Sequence, residues 1–423
     1  MSNGIDSTNH PLHSSFGIYI HIPFCAKKCP YCDFNSYGPN AAYSKGKTDK
    51  VPEQEYKEAL LREIATYGAR TEWQNRNCRS IFFGGGTPSL FSAETLIEIV
   101  QAVKGTFTFA PDIEITMEAN PGTIVEELRK QKLEALLNGG INRLSFGAQS
   151  FREEKLDFLG RIHSPTDTRN AFRDAREVGF KRINLDLMFG VPGESVAEWE
   201  LDIKSALELS PEHLSTYGLT VEPGTAFGRL ARRGRVMTAN DDLQADMLEF
   251  ACTTLAVNGF ERYEISNFAK ITNTKSERCR HNMGYWQGYD YLGLGAGAHG
   301  FRRTNIEERK ASPVRGYRSA NIPGPVHYME RILKDGTADQ LNETIDAVQE
   351  KIEFFLLTLR TTDGASRLTY QTLFGEPFEE QFGKKISLLI SQNLLEYNNK
   401  RDLRLTPRGM MIANSVIFEL TER

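Results

Sequence analysis

Phe16-Gly-Ile-Tyr-Ile-His-Ile22 decides the architecture. Ile18, Ile20 and Ile22 fall on one face and Tyr19 and His21 on the other, the two-residue period of a strand. Similar short apolar runs recur at 80–83, 113–117, 142–146, 182–188 and 213–219. Between them lie helical stripes: Tyr56, Leu60, Ile64 and Tyr67 form one, and Val196, Trp199, Ile203, Ala206 and Leu207 another. Strand starts mostly about 30–40 residues apart suit parallel strands joined by right-handed crossover helices. Six such units predict an α/β protein built on a partial (β/α)6 barrel of the TIM type.

In such a barrel the aliphatic face of each strand packs on the outer helices, and the other face points into the lumen. Tyr19 and His21 of the first strand, Thr116 and Glu118 of the third, and Asn184 and Asp186 of the fifth are therefore expected inside. Polar residues near the C-terminal ends of barrel strands are where these folds place chemistry. The same pattern also suits a polar core layer whose members bond one another.

Past residue 225 the rhythm breaks. The expected organisation is a frayed lead-in over 1–15, a barrel over 16–225, an α-rich extension over 226–340 and a small winged-helix-like module over 341–423. Within the extension, 241–258 reads as a helix, 264–300 as loop-rich and 304–319 as an exposed polar insertion. In the last module 345–360 reads as an apolar helix, and 394–404 followed by a helical 407–420 supplies the winged pattern. That module holds 10 basic and 12 acidic residues, a net −2, so it reads as a packing module and no nucleic-acid partner is expected.

The chain has 423 residues, 40% hydrophobic and 25% charged, which is ordinary globular composition. Lys and Arg number 51 against 55 Asp and Glu, so a polyanion is not the expected main partner. No uncharged apolar run reaches the roughly 18 residues of a membrane span. The first 15 residues lack the apolar segment of a signal peptide, and the expected compartment is the cytoplasm.

Three of six cysteines crowd into Cys25-Ala-Lys-Lys-Cys29-Pro-Tyr-Cys32, directly after the first strand. Thiolates select soft metals or iron–sulfur clusters. Three cysteines fit a [4Fe–4S] cluster with one iron left for an exogenous ligand. Zinc with His21 as a fourth ligand, or three unrelated thiols, stand as alternatives at this stage. Glycines in Phe83-Gly84-Gly85-Gly86-Thr87-Pro88 let a backbone approach a ligand closely. Gly295-Ala-Gly297-Ala-His-Gly300 satisfies GxGxxG, but no apolar helical stripe follows it, so a dinucleotide fold is rejected.

CxxxCxxC with an aromatic, Tyr31, before the last cysteine resembles the signature of the radical S-adenosylmethionine (SAM) superfamily. The resemblance implies that Cys25, Cys29 and Cys32 hold a [4Fe–4S] cluster whose fourth iron is chelated by SAM. It also implies that Tyr19, Tyr31, Gly85, Gly86, Thr87, Glu118, Gln149, Arg161 and Asp186 hold SAM. These positions match the branch related to the oxygen-independent coproporphyrinogen III oxidases. A carboxylate suits a ribose hydroxyl pair and an arginine suits a carboxylate. Glu118 and Asp186 are doubly supported, because periodicity also points them inward.

Two features divide that branch. The porphyrinogen-oxidising enzymes carry a further cysteine two residues after the triad, where this chain has Phe34. Cys279-Arg-His281-Asn282-Met-Gly-Tyr285-Trp286 resembles the HNxxYW motif of the HemW-type haem chaperones. His281 offers an imidazole for haem iron, Tyr285 and Trp286 offer flat apolar surface, and Asn282 could orient the imidazole or bond a propionate. Cys279 is a second candidate ligand, and His299 sits in the glycine-rich loop where it could equally position backbone. The resemblance implies a haem chaperone that binds a [4Fe–4S] cluster, SAM and haem and hands the haem to an acceptor protein. The alternative is an enzyme, a coproporphyrinogen III oxidase of porphyrin biosynthesis. The acceptor is not identified by sequence, and a homodimer is left open.

Overall fold

A computed structural model of the chain describes residues 14–39, 50–124, 126–272 and 276–422. Most of the lead-in, and the centre of the polar insertion after the cysteines, lie outside the described residues. The six expected strands are present as β1 Ser15–Ile22, β2 Asn77–Gly85, β3 Thr108–Ala119, β4 Arg143–Gln149, β5 Ile183–Phe189 and β6 His213–Gly218. They lie parallel and in chain order, β1 through β6.

Alternation sets the layers. Ile18, Ile20 and Ile22 are fully buried against outer helices, including Glu53–Gly68, whose Tyr56, Leu60, Ile64 and Tyr67 stripe is also buried. The helix Val196–Glu208 buries Trp199, Ile203 and Ala206 in the same core. It is held at its start by a reciprocal cap in which Ser195 Oγ accepts from Glu198 N and the Glu198 carboxylate accepts from Ser195 N.

The six strands do not close on one another. Past β1 the sheet continues through β9 Asp290–Leu294, β10 His299–Arg303, β11 Gly316–Asn321 and β12 Asp339–Ile345. Past β6 it continues through β8 Asn267–Lys270 and β7 Phe260–Arg262. The result is one twelve-stranded sheet in which β9 adds parallel to β1 and β8 adds antiparallel to β6.

The extension therefore carries helices, among them Asp241–Val257 and Pro325–Asp335, and also five whole strands and the start of β12. The stretch 264–300, expected to be loop-rich, supplies β8, β9, the start of β10 and the helix Arg280–Trp286. The polar 304–319 folds into the helix Ile306–Ala311 and most of β11. These strands are short and rich in Gly, Arg and Asn, so apolar alternation does not announce them. A second core, Phe354 to Leu420, gathers around Phe355, Tyr370 and Phe378, and includes the hairpin β13 Leu395–Tyr397 and β14 Leu403–Leu405.

Candidate functional site

The C-terminal ends of β1–β6 surround a cavity of ≈ 630 Å³, within the range of small-molecule sites. Cys25, Cys29 and Cys32 open onto it, as do Tyr19, Tyr31, Gly85, Gly86, Thr87, Glu118, Gln149, Arg161 and Asp186. Residues spread over 168 positions of sequence are thus brought to one wall by the barrel alone.

The loop bearing the cysteines is pinned to the glycine segment by backbone bonds. Gly86 N donates to Ile22 O and Thr87 N to Phe24 O, each at 2.8 Å. A Cβ on Gly86 would lie 2.6 Å from Phe24 O and 2.8 Å from Pro23 C, so a side chain there would push the cysteine loop away. Cys25 N donates to Tyr37 O at 2.9 Å and closes the loop from its other end. All six cysteines are free of disulfides. Burial raises the Cys25 thiol, and the nearby Cys32 and Cys29 add to the rise, opposed by a hydrogen bond with Thr87.

Arg161 reaches in from the segment after β4. One Nη donates to Cys29 Sγ at 3.3 Å and the other to Gly147 O at 2.8 Å, while its buried Nε has no partner. No carboxylate pairs with this guanidinium among the described residues. Such a buried cation awaits an anion. Two carboxyls line the same cavity. Burial, and then the neighbouring Asp186, push Glu118 up to about 8, against a 3.1 Å hydrogen bond from Gly85 N. Burial also raises Asp186, although Ser145 and Asn184 donate to it at 3.2 and 2.8 Å. Gln149 takes a left-handed backbone, φ 64°, at the end of β4.

These residues fit an iron–sulfur cluster better than a single zinc ion. His21 has both ring nitrogens engaged, one with Tyr19 Oη at 2.9 Å and the other with Asn35 O at 2.8 Å. No group of three His, Cys, Asp or Glu side chains closes around one ion among the described residues. A cluster gives each thiolate its own iron and needs no such convergence.

The helix Arg280–Trp286 fills the opposite, N-terminal end of the barrel. His281 is 4% exposed and bonded on both sides, to Ser80 Oγ and to Tyr285 Oη, each at 2.9 Å. Its ring stacks on Phe82 at 5.2 Å, and burial lowers its pKa to about 4. Asn282 donates to Tyr263 Oη at 3.2 Å. Cys279 Sγ donates to Glu114, a buried carboxylate paired with Arg182 at 2.8 Å.

His281, Asn282, Tyr285 and Cys279 line the floor of the large cavity, but Trp286 does not. At 3.6 residues per turn, Met283 and Trp286 face another side of the helix. They line a separate cavity of ≈ 360 Å³ shared with Phe301, Phe354 and Leu357. Sequence adjacency grouped Trp286 with a set that the helix divides.

Several residues of the site carried no sequence signal. Asn35 Nδ2 donates to Ala296 O and Pro323 O at 3.0 and 2.9 Å, tying the cysteine loop to the loop between β9 and β10 and to the turn after β11. A Cβ on Gly297 would lie 2.3 Å from that Nδ2. Within GxGxxG, Gly297 thus makes room for Asn35 and Gly295 for the His21 carbonyl, between two antiparallel strands and with no dinucleotide fold.

Comparison with known proteins agrees with this geometry. The family model described as the radical SAM superfamily matches residues 19–206, and the HemN C-terminal domain matches 352–412. The heme chaperone HemW of Bacillus subtilis is 35% identical over 94% of this chain and 97% of its own length. That of Escherichia coli is also 35% identical, over 95% and 96%. Among solved structures, the coproporphyrinogen III oxidase HemN of Escherichia coli superposes with a TM-score of 0.77 over 98% of this chain and 92% of its own. At 19% identity that likeness shows the shared fold. Radical SAM membership brings with it a [4Fe–4S] cluster and SAM. The chain belongs to the HemW family of the radical SAM superfamily.

Proposed function

We propose that this protein is a haem chaperone: it holds a [4Fe–4S] cluster and SAM at the mouth of the barrel, binds haem as cargo, and passes it to a haem-free acceptor protein in the cytoplasm. The observation that carries the reading is the kinship just described, end to end with HemW proteins, together with three cysteines outside any disulfide that open onto one cavity beside an arginine with no carboxylate partner among the described residues. Cys25, Cys29 and Cys32 would hold the cluster. Tyr31 would lie by the adenine, Gly85, Gly86 and Thr87 by the amino group, Glu118 and Asp186 by the ribose, with Tyr19 and Gln149 completing the wall. Arg161 would meet the SAM carboxylate, because it is the buried cation left without an acid. When bound, the cluster and SAM supply one-electron chemistry; the chain's own part is to bind, orient and exclude water. The domain bounds 16–225, 226–340 and 341–423 belong to the same proposal.

Nothing in the geometry favours the coproporphyrinogen III oxidase reading. The position of the extra cysteine is held by Phe34, 69% exposed at the cavity rim. The test is an anaerobic haem titration of the reconstituted protein followed by mixing with a haem-free acceptor. Saturation near one haem per chain and movement of the Soret band to the acceptor are expected. No haem binding, with turnover of coproporphyrinogen in the presence of SAM and a reductant, would reverse the choice.

A further inference from the structure

A haem iron takes an imidazole only through a nitrogen lone pair that nothing else occupies. Four histidines face the large cavity and the bay beside it: His21, His213, His281 and His299. Three are spoken for at both nitrogens. His21 meets Tyr19 and Asn35, and His281 meets Ser80 and Tyr285. His213 meets Asn184 Oδ1 at 2.6 Å and Tyr263 Oη at 2.8 Å. All three are buried, so ligation would break a bond and open packed structure.

His299 differs in each respect. It is exposed, at the first position of β10, and its ring makes no hydrogen bond or ion pair among the described residues. It faces a bay of ≈ 350 Å³ whose walls include Tyr19, Phe34, Tyr285 and Tyr291. Four aromatic side chains around one free imidazole suit a flat apolar macrocycle with a metal at its centre. The bay shares Tyr19, Phe34, Gly85, Glu118 and Tyr285 with the large cavity, so an occupant would sit beside the cofactor site without filling it. Phe34 gains a purpose here: a large apolar ring left in water at the rim would be covered by the cargo.

We propose that His299, and not His281, ligates the iron of the cargo haem, with the macrocycle lying in the bay formed by Tyr19, Phe34, Tyr285 and Tyr291. The proposal rests on the haem-chaperone reading above. His281 then acts as a floor residue that fixes Ser80 and Tyr285.

The test uses the full-length reconstituted protein loaded with haem, comparing His299→Ala and His281→Ala with wild type by absorption and electron paramagnetic resonance. His299 is exposed and bonds only through its backbone, so its truncation leaves the fold intact, as circular dichroism would check. Loss of the imidazole-ligated spectrum and at least tenfold weaker haem binding are expected in His299→Ala. Added free imidazole should restore the spectrum, and His299→Met should shift it rather than abolish it. His281→Ala should keep the wild-type haem spectrum. An unchanged spectrum in His299→Ala, or loss confined to His281→Ala, would overturn the assignment. A wild-type protein that binds no haem would remove the reading beneath it, which is a distinct outcome.

Discussion

At the floor of the barrel, polar groups answer one another. Glu114 accepts from His281 N and Cys279 Sγ and pairs with Arg182, His281 has two partners, and Asn282 has Tyr263. At the mouth, the same strands leave three cysteines outside any disulfide, a buried Nε on Arg161 with no partner, two buried carboxyls with raised pKa values and, beside them, a His299 ring with no hydrogen bond among the described residues. A fold closes its own polar groups where it needs rigidity and leaves them open where a ligand is to complete them. The motif that is easiest to spell, HNxxYW, lies largely at the closed end.

Three changes would sharpen or break this contrast. Cys29→Ser removes a thiol at the open end, where completion comes from outside. Reconstituted iron–sulfur absorbance should be lost while thermal stability of the cluster-free protein stays within about 1 kcal/mol. An intact cluster spectrum would dissolve the distinction. Glu114→Ala acts at the closed end: it removes the buried carboxylate that Arg143 and Arg182 both face, leaving Arg182 with Glu277, and should cost about 3 kcal/mol by denaturant titration. A loss below 1 kcal/mol would mean the floor is less tightly closed than its bonds suggest.

The smallest effect concerns Glu63, a closed site behind the β9–β10 loop. It is buried and accepts from Asn321 Nδ2, Gly295 N and Tyr328 Oη at 2.7, 2.9 and 2.6 Å. Burial, only partly offset by these donors, raises its carboxyl from 4.5 to about 7. An acid raised on folding stabilises most below its unfolded value, so this contribution fades as pH climbs from about 4.5 through 7. Wild-type stability should lose up to ~3 kcal/mol over that window relative to Glu63→Gln, whose profile should be flatter whatever its absolute stability. Parallel profiles would place the titration elsewhere.

The parallel core was legible because burial on helices imposes a period: Ile18, Ile20 and Ile22 against Tyr19 and His21 predicted both strand and orientation. The cysteine triad, Glu118 and Asp186 were legible through spacing and that same alternation. Other features left no local trace. Short strands such as β9 and β10 are stabilised by pairing onto an existing edge and carry little apolar alternation of their own. Glu63 sits in an amphipathic helix like any exposed glutamate, and only the partners brought by β11 and the helix Pro325–Asp335 make it a core residue. Trp286 was misplaced for the opposite reason, because neighbours in sequence diverge around a helix. His299 could not be ranked above His281, since what separates them is which ring nitrogens are occupied.

Asn35 gives the mouth a mechanical character. It lies three residues after Cys32; its backbone carbonyl meets His21, and its side chain meets Pro323 after β11 and Ala296, three residues before His299. The cysteine loop and the histidine loop are therefore braced at one residue: a shift of either strains the bonds Asn35 makes to the other, and the bay and Cys32 share one support.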